Sequence, residues 1–246
     1  MKFLNHTFPS PEENLACDEA LLDLGEEAGG GAILRCWEPR QPFVVVGYAN
    51  RVSAETDVPA CQAHGVPVLR RCSGGGTVLQ APGCLNYALI LRVVAGGPLD
   101  TITGANRFIM RRNAEAVAAA IGRPVQVQGH TDLTLDGRKF SGNSQRRKRA
   151  CLLFHGCFLL DLDLALVARC LRMPSRQPEY RRDRAHADFL VNLGVNAAEV
   201  KSALRRAWRA EVTLADPPRE RVTRLAREKY ATPEWNWKWD ADQFFP

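Results

Sequence analysis

The sequence predicts an α+β fold in which mixed β-sheets are flanked by helices. Strand and helix patterns follow one another without the regular strand–helix–strand rhythm of a doubly wound parallel sheet. No linker, repeat or low-complexity tract divides the 246 residues, of which 46% are hydrophobic and 24% are charged. We therefore expect a single globular domain over residues 1–246.

The first predicted element is a helix with a clear start. Ser10 is an N-cap residue, Pro11 suits the first helical position, Glu13 completes a capping box, and the apolar pattern runs to Gly29-Gly30-Gly31. The remaining elements follow from apolar patterning and turn residues. Strands are predicted at 33–37, 43–48, 66–69, 77–79, 85–91 and 151–160, and helices at 108–121, 164–171, 197–210 and 219–230. We expect the tryptophans at 235, 237 and 239 to fasten the tail to the core.

Charge and cysteine content restrict the class of protein. The net charge of +6 favours an anionic partner, which leaves a nucleotide, a nucleic acid and an acidic protein surface open. No stretch approaches the roughly 20 apolar residues that cross a bilayer, and no secretory signal precedes the first helix, so we predict a cytoplasmic protein without a membrane span. The eight cysteines have no C-x-x-C spacing, so we expect reduced, buried thiols and no structural zinc.

A glycine-rich segment, Arg70-Arg71-Cys72-Ser73-Gly74-Gly75-Gly76-Thr77, lies between two predicted strands. Glycines let the backbone approach a ligand and leave N–H groups free to cradle an anion, while arginine matches carboxylate or phosphate. A glycine-rich turn with solvated arginines is an equally good interpretation. Neither a P-loop nor a dinucleotide-binding fingerprint occurs in the sequence.

Asp136-Gly137 predicts a hairpin with a two-residue turn. A lysine and an aspartate on its polar face would suit ATP-dependent acyl activation, with the carboxylate holding magnesium, whereas alternation alone favours a solvated face. The turn predicts that Leu135 faces Arg138, Thr134 faces Lys139, Leu133 faces Phe140 and Asp132 faces Ser141, so that Asp132 is a diagonal neighbour of Lys139.

The strand at 151–160 places His155 and Cys157 on one face, which would allow a thiol–imidazole pair. We favour a structural histidine, because adjacency on a strand does not set the geometry of a nucleophile. The basic run at 146–149 is interpreted as a solvated loop, with attraction of a phosphate or an acidic partner as the alternative.

In their order and spacing, the segments at 70–78 and 132–142 and the pair His155-Gly156 resemble the lipoate-protein ligase family. The resemblance extends to residues 14–22, 44–48, 191–193 and 232–235, and so covers nearly the whole chain. It implies the class II synthetase-like catalytic fold shared by biotin and lipoate ligases. It also implies activation of lipoate or octanoate with ATP and Mg²⁺ to an acyl-adenylate. The acyl group would then pass to a lysine of a lipoyl-domain protein, such as a 2-oxoacid dehydrogenase E2 subunit or the glycine cleavage H protein.

The same resemblance implies the site residues. Lys139 would be catalytic, Asp132 would lie near the phosphates and hold the metal, and His155 would line the acyl pocket. The remaining ligand-binding positions would be Arg70, Arg71, Ser73, Gly74, Gly75, Gly76, Thr77, Val78, Ser141 and Gly142. The chain stops before the family's small accessory domain, so we expect either a separate accessory subunit or a short single-domain ligase.

Alternatives within and outside this superfamily remain. An octanoyltransferase would move octanoyl from acyl carrier protein through a cysteine thioester, without ATP. We place it second because no cysteine occurs between Cys84 and Cys151, and only Cys170 lies soon after the histidine strand. A non-catalytic binder of the ligand is a third possibility. A biotin ligase lacks support because its arginine–glycine loop is absent, and no nucleic-acid-binding motif is present. We also expect basic side chains near the pocket to steer an acidic lipoyl domain.

Overall fold

The computed structural model describes residues 1–28 and 31–240, which form a mixed α+β fold, as predicted. The strands are β1 (Lys2–Asn5), β2 (Ile33–Trp37), β3 (Phe43–Val46), β4 (Val68–Arg70), β5 (Val78–Gln80), β6 (Cys84–Arg92), β7 (Gln126–Gln128), β8 (Asp132–Leu135), β9 (Arg138–Arg147), β10 (Cys151–Leu159) and β11 (Val212–Thr213). The helices are α1 (Pro11–Ala28), α2 (Val52–Glu55), α3 (Val58–Ala63), α4 (Ile102–Ile121), α5 (Leu164–Cys170), α6 (His186–Phe189), α7 (Ala197–Ala207), α8 (Arg219–Leu225) and α9 (Pro233–Asn236). A 3₁₀ turn covers Glu179–Arg181, and a π-helical turn covers Ala226–Tyr230.

The strands form two sheets. The larger has eight strands in the order β11-β1-β2-β6-β10-β9-β8-β7, and the smaller has three in the order β4-β3-β5. In the larger sheet β1 is parallel to β2 and β11, whereas β2, β6, β10, β9, β8 and β7 are joined by antiparallel pairs. In the smaller sheet β3 is parallel to β4 and antiparallel to β5.

Three buried clusters join these layers. One cluster packs α4 and α7 against the large sheet through residues such as Ile109, Leu204 and Phe154. A second cluster packs α1 and α8 on residues that include Leu153. The third lies under the small sheet and contains Val44 and residues of α3 and α5. Helices therefore flank the large sheet, and the small sheet packs beside it through the second and third clusters, which both include residues of β6 and β10.

The helix signals are confirmed with small changes of length. Ser10 and Glu13 form the predicted capping box, in which the Glu13 backbone N–H donates to Ser10 Oγ at 3.2 Å and the Ser10 N–H donates to Glu13. Gly29 and Gly30, the predicted end of α1, lie outside the described residues. Helix α4 begins before the predicted residue 108, because Thr101 caps it by accepting a hydrogen bond from the Gly104 N–H.

The hairpin turn is confirmed, with positive φ angles of 50° at Asp136 and 73° at Gly137. The register next to the turn is also as predicted. A bulge at Leu133/Thr134 then places Phe140 and Ser141 opposite Leu133, so that Asp132 faces Gly142. The predicted pairs Leu133–Phe140 and Asp132–Ser141 were therefore wrong. The alternative of a fully solvated polar face was also wrong, because Thr134 and Ser141 are buried.

The structure also tests the predictions about the cysteines, the tail and a membrane span. All eight cysteines are buried and free, as expected. Trp235 ties the tail to β4, because its indole N–H donates to the Arg70 carbonyl at 2.8 Å, and Trp239, although 42% exposed, donates to the Tyr48 carbonyl at 2.7 Å. None of the helices in ranges 1–28 and 31–240 is long and apolar enough to cross a membrane.

Candidate active site

A cavity of about 890 Å³ opens among the strand ends and loops that carry the predicted motifs. Apolar side chains of α1, β2, β3 and β5 form one wall, which we call the acyl wall: Leu15, Trp37, Val45 and Val78. Polar and charged groups line the rest, among them Asp18, Arg71, Asp132, Lys139 and His155. The cavity therefore combines an apolar surface with several charged side chains that point into it, as most ligand-binding sites do.

The predicted neighbours Lys139 and Asp132 form an ion pair in this cavity. Lys139 Nζ lies 2.8 Å from Asp132 Oδ1, and the two side chains are 23% and 14% exposed. Gly142 leaves space for the amine, because a Cβ built there would lie 2.8 Å from Lys139 Nζ. A side chain at this position would displace the ammonium group, so the glycine has a steric role in placing it.

Tyr180, which the sequence analysis missed, completes this cluster. Its hydroxyl donates to Asp132 Oδ2 at 2.7 Å. Burial, followed by the Asp132 carboxylate, raises the pKa of Tyr180, so the phenol stays protonated and remains a donor. Tyr180 belongs to the 3₁₀ turn in a connection between α5 and α6 that covers one side of the cavity. Nothing in the local sequence pattern of that connection marks it as part of the site.

Arg71 holds the glycine loop, by which we mean Gly74–Gly76. Its guanidinium donates to the carbonyls of Gly74, Gly76 and Val45, and Ser144 Oγ also donates to the Gly74 carbonyl at 2.8 Å. Gly75 has a φ of +87°, a conformation that disfavours any side chain. Gly75, Gly76, Thr77 and Val78 line the cavity. Arg71 thus lies at the cavity, but its guanidinium N–H groups donate to backbone carbonyls, mainly those of the loop.

Arg70 does not line the cavity. Its side chain is fully buried and donates to carbonyls on both sides, including those of Gly47, Asn50 and Asn236. Arg70 therefore fastens the carboxy-terminal tail to the start of the glycine loop and does not contact a ligand directly. Ser73 and Ser141 are buried and do not line the cavity, and neither does the exposed Gly74.

His155 joins two buried side chains from different parts of the chain. Its Nε2 lies 2.6 Å from Ser73 Oγ, and its Nδ1 lies 3.0 Å from Asp18 Oδ2. Arg35, which is fully buried, binds Asp18 Oδ1 at 2.6 Å. Burial alone would raise the pKa of Asp18, but the Arg35 guanidinium and the His155 hydrogen bond hold it below its ordinary value. Asp18 is therefore ionised inside the protein.

The possible thiol–imidazole pair of His155 and Cys157 is not formed. Both ring nitrogens of His155 are bonded to other residues, and Cys157 lines the cavity without an imidazole partner. Burial raises the pKa of the Cys157 thiol, although Gln80, Lys139 and Arg71 oppose the shift. Burial likewise raises the pKa of the other seven thiols.

The family model for the lipoyl protein ligase A/B catalytic domain matches residues 10–209. The chain belongs to this family. Among curated relatives, the octanoyltransferase LipM of Geobacillus kaustophilus is 27% identical over 96% of this chain and 98% of that protein. LipM of Symbiobacterium thermophilum is 30% identical over 93% of this chain and 94% of the relative.

Solved structures of the same family share the fold. A lipoate-protein ligase A bound with ATP superposes with a TM-score of 0.83 at 22% identity, covering 96% of this chain and 98% of that one. A bi-partite lipoate protein ligase from Thermoplasma acidophilum, studied with its E2 lipoyl domain, has a TM-score of 0.81 at 23% identity, with 96% and 95% covered. The predicted family and fold are therefore confirmed.

The side chains around Asp132 determine how many ligands the protein offers to the predicted magnesium ion. Within the described ranges no three His, Cys, Asp or Glu side chains cluster as metal ligands. Both oxygens of Asp132 already accept hydrogen bonds, from Lys139 and Tyr180. Magnesium is commonly held by one or two carboxylates together with substrate phosphates and water. An ion at Asp132 would thus depend on the substrate for most of its ligands, and this assignment stays a prediction.

Asp18 and Tyr180 are two of the side chains at the cavity that sequence reasoning missed. Asp18 did leave a signal, because Asn14 and Asp18 are spaced i, i+4 within the apolar stretch of α1 and both are buried. Polar residues on the buried stripe of a helix need partners, and Arg35 supplies one for both. Tyr180 left no such signal.

Proposed function

We propose that the chain transfers an octanoyl group from a thioester on an acyl carrier protein to a lysine of a lipoyl-domain protein. The observation that carries the proposal is the Lys139 ammonium group, fixed by Asp132 in the same cavity as the acyl wall. The names of the relatives support octanoyl transfer over the ATP-dependent ligation that the sequence analysis put first.

The acyl wall would bind the hydrocarbon chain. Its four side chains belong to one packed cluster and present apolar surface to the cavity. Each buried methylene contributes about 0.8 kcal/mol of transfer free energy, so an octanoyl chain gains several kcal/mol there. Shorter acyl groups would bind more weakly by this increment for each carbon removed.

Lys139 would stabilise charge on the reacting carbonyl. When an amine or an alcohol attacks an acyl carbon, negative charge develops on the oxygen, and a fixed cation nearby stabilises it. Asp132 and Tyr180 hold the ammonium in one position, so little reorganisation is needed during the reaction. Loss of one such group costs about 10²–10³-fold in rate in comparable sites.

Basic groups beside the glycine loop would attract an acidic acceptor domain. Arg146 and Lys238 lie over the Tyr48 ring at 5.7 and 4.4 Å, and Arg146 also donates to the Cys72 carbonyl next to the loop. Steering by exposed charges weakens with salt. We therefore expect acceptor-limited transfer to slow as ionic strength rises, and a salt-independent rate would contradict the steering hypothesis.

ATP-dependent ligation of lipoate or octanoate is the second candidate. The observation in its favour is the state of the thiols: all eight cysteines are buried, and burial raises the pKa of each, so none is a ready thiolate. In this reaction Lys139 would neutralise carboxylate and phosphate charge, and Asp132 would hold Mg²⁺ brought by the nucleotide. A separate accessory subunit would remain compatible with this route.

Two parallel assays with a lipoyl-domain acceptor distinguish the candidates. The purified chain is given either octanoyl-acyl carrier protein without nucleotide, or lipoate and octanoate with Mg-ATP, and acceptor mass and pyrophosphate are measured. Transfer from the carrier alone supports the proposed function, whereas acyl-AMP and pyrophosphate formation without carrier-dependent transfer supports ligation.

Lys139→Ala should abolish whichever activity occurs. Lys148→Ala is the matched control, because Lys148 pairs with Asp23 outside the cavity, and it should keep that activity. Equal activity of both variants would contradict the role of Lys139.

A further inference from the structure

Three side chains from three separate parts of the chain form a continuous hydrogen-bonded line. Asp18 on α1 contacts His155 on β10, and His155 contacts Ser73 immediately before the glycine loop. The exposed fractions are 3%, 9% and 1%, respectively. Nucleophile, base and orienting acid within 2.6–3.2 Å of one another are the geometric signature of an activated hydroxyl.

The direction of each hydrogen bond follows from the donors. Arg35 can only donate, so the Asp18 carboxylate accepts, and the ionised Asp18 then also accepts from His155 Nδ1–H. In the neutral imidazole this leaves the lone pair on Nε2. In that neutral form Ser73 Oγ–H donates to Nε2, which is the orientation in which the ring removes the hydroxyl proton.

The glycine loop supplies groups for the developing oxyanion. Among the described residues, the backbone N–H groups of Gly75 and Gly76 find no backbone acceptor, and both glycines line the cavity. Lys139 lines the same cavity. Gly142, which its amine overlies, pairs with Cys157, and Cys157 lies about 7 Å along β10 from His155.

Access to Ser73 requires movement of the glycine loop, because the side chain is 1% exposed. His155 and Asp18 already reach the cavity surface. No atom lies within 4 Å of a Cβ built on Gly74 or Gly76, so the loop has open space around it. A thioester on the acyl wall would reach Oγ only after the Gly74 and Gly76 carbonyls leave the Arg71 guanidinium and the Ser144 hydroxyl.

We propose that Ser73, activated by His155 and Asp18, takes the acyl group from the thioester and carries it as an ester. This inference rests on the proposed transferase function and supplies the covalent step that no cysteine is arranged to perform.

In the first half, the Ser73 proton moves to His155 Nε2, Oγ bonds to the acyl carbon and the C–S bond breaks. The leaving thiolate takes the proton from His155. In the second half, the acceptor lysine amine bonds to the acyl carbon, the C–Oγ bond breaks, and the amine proton returns through His155 to Ser73. Each half conserves charge and atoms and needs no other reactant.

Rapid quenching of the wild-type chain with octanoyl-acyl carrier protein, followed by peptide mass spectrometry, locates the adduct. We expect octanoyl on Ser73, released by alkaline but not by neutral hydroxylamine. The adduct should be lost in Ser73→Ala and formed at least about 10²-fold more slowly in His155→Gln, while Cys157→Ser and the exposed control Ser202→Ala keep it. Ser73→Cys should convert it to a thioester that neutral hydroxylamine cleaves, which a merely structural serine would not produce.

Other results overturn the inference in distinguishable ways. An adduct on Cys157, or acceptor octanoylation at the wild-type rate in folded Ser73→Ala, refutes the role of Ser73 and leaves the transferase function standing. Absence of both adduct and carrier-dependent transfer refutes the two together. Circular dichroism of each variant separates loss of chemistry from loss of folding.

Discussion

Removal of the Arg35 charge should destabilise the protein more than any surface ion pair would. The Arg35 side chain is fully buried, as is nearly all of Asp18, and their contact is 2.6 Å long. Arg35→Met keeps most of the volume but leaves a carboxylate without its cation. It also removes donors to the Asn14 carbonyl and side chain. Breaking a buried pair in this way typically costs about 3–5 kcal/mol of unfolding free energy.

That cost corresponds to a fall in Tm of about 6–20 °C for a domain of this size. Thermal and urea unfolding at pH 7, followed by circular dichroism, measure it. In the double variant Arg35→Met/Asp18→Asn the unpaired charge is gone, so a large part of the loss should be recovered. A loss below about 1 kcal/mol, or purely additive effects of the two substitutions, would refute the reasoning.

The pH dependence of the stability that Asp18 contributes has a definite sign. In the wild type the folded pKa of Asp18 is lowered, so its contribution to stability is present above the unfolded pKa. That contribution is lost as pH falls through the lower folded pKa. In Arg35→Met, burial raises the pKa of Asp18 instead. Protonation of Asp18 then removes the free-energy cost of a buried, unpaired charge. The stability difference between the two proteins should therefore narrow on acidification, and a constant difference would contradict this cause.

Three further predictions address the cavity and the tail. Gly142→Ala should lower the rate of acyl transfer about 10–100-fold with little change in Tm, because the new Cβ displaces only the flexible Lys139 amine; an unchanged rate would count against a fixed ammonium. Tyr180→Phe should slow transfer about 10–100-fold, since a hydrogen bond to charged Asp132 contributes about 1.5–3 kcal/mol, and steady-state rates check it. Asn236→Ala should reduce the unfolding free energy by about 1–3 kcal/mol, because a buried backbone N–H of β4 loses its acceptor, and urea unfolding measures this.

Local signals predicted the longer elements because such signals depend on few residues, but they missed the short elements β1, β7, β11, α2, α3, α6 and α9. The capping box of α1 and the Asp136-Gly137 turn both formed as the sequence indicated. The bulge in the hairpin did not follow from alternation. It depends on packing of Leu133 and Phe140 against helices and strands distant in sequence. Patterning therefore found the hairpin but missed the register beyond the turn.

The candidate site was predictable where one motif supplies both partners. Lys139 and Asp132 lie on neighbouring strands of one hairpin, so the predicted turn brought them close together even though the register at Asp132 was wrong. The contact of Asp18 with His155 joins residues 137 positions apart, and Tyr180 reaches Asp132 across 48 positions. Arg70 is of a residue type that often contacts anionic ligands, yet its burial shows that it supports the structure instead. Such distinctions depend on tertiary structure and cannot be read from spacing.

The anchoring of the tail by Arg70 has a consequence for biosynthesis. Asn236 follows Arg70 by 166 positions, so the support of the glycine loop is translated well after the loop itself. At about 5–20 residues per second, the delay is about 8–33 s. Once β11 has been made, late in that interval, every strand of the sheet is present but the contacts that fix the loop are still missing. Competence for catalysis should thus arise abruptly when Asn236 has been added, and not gradually as the chain lengthens.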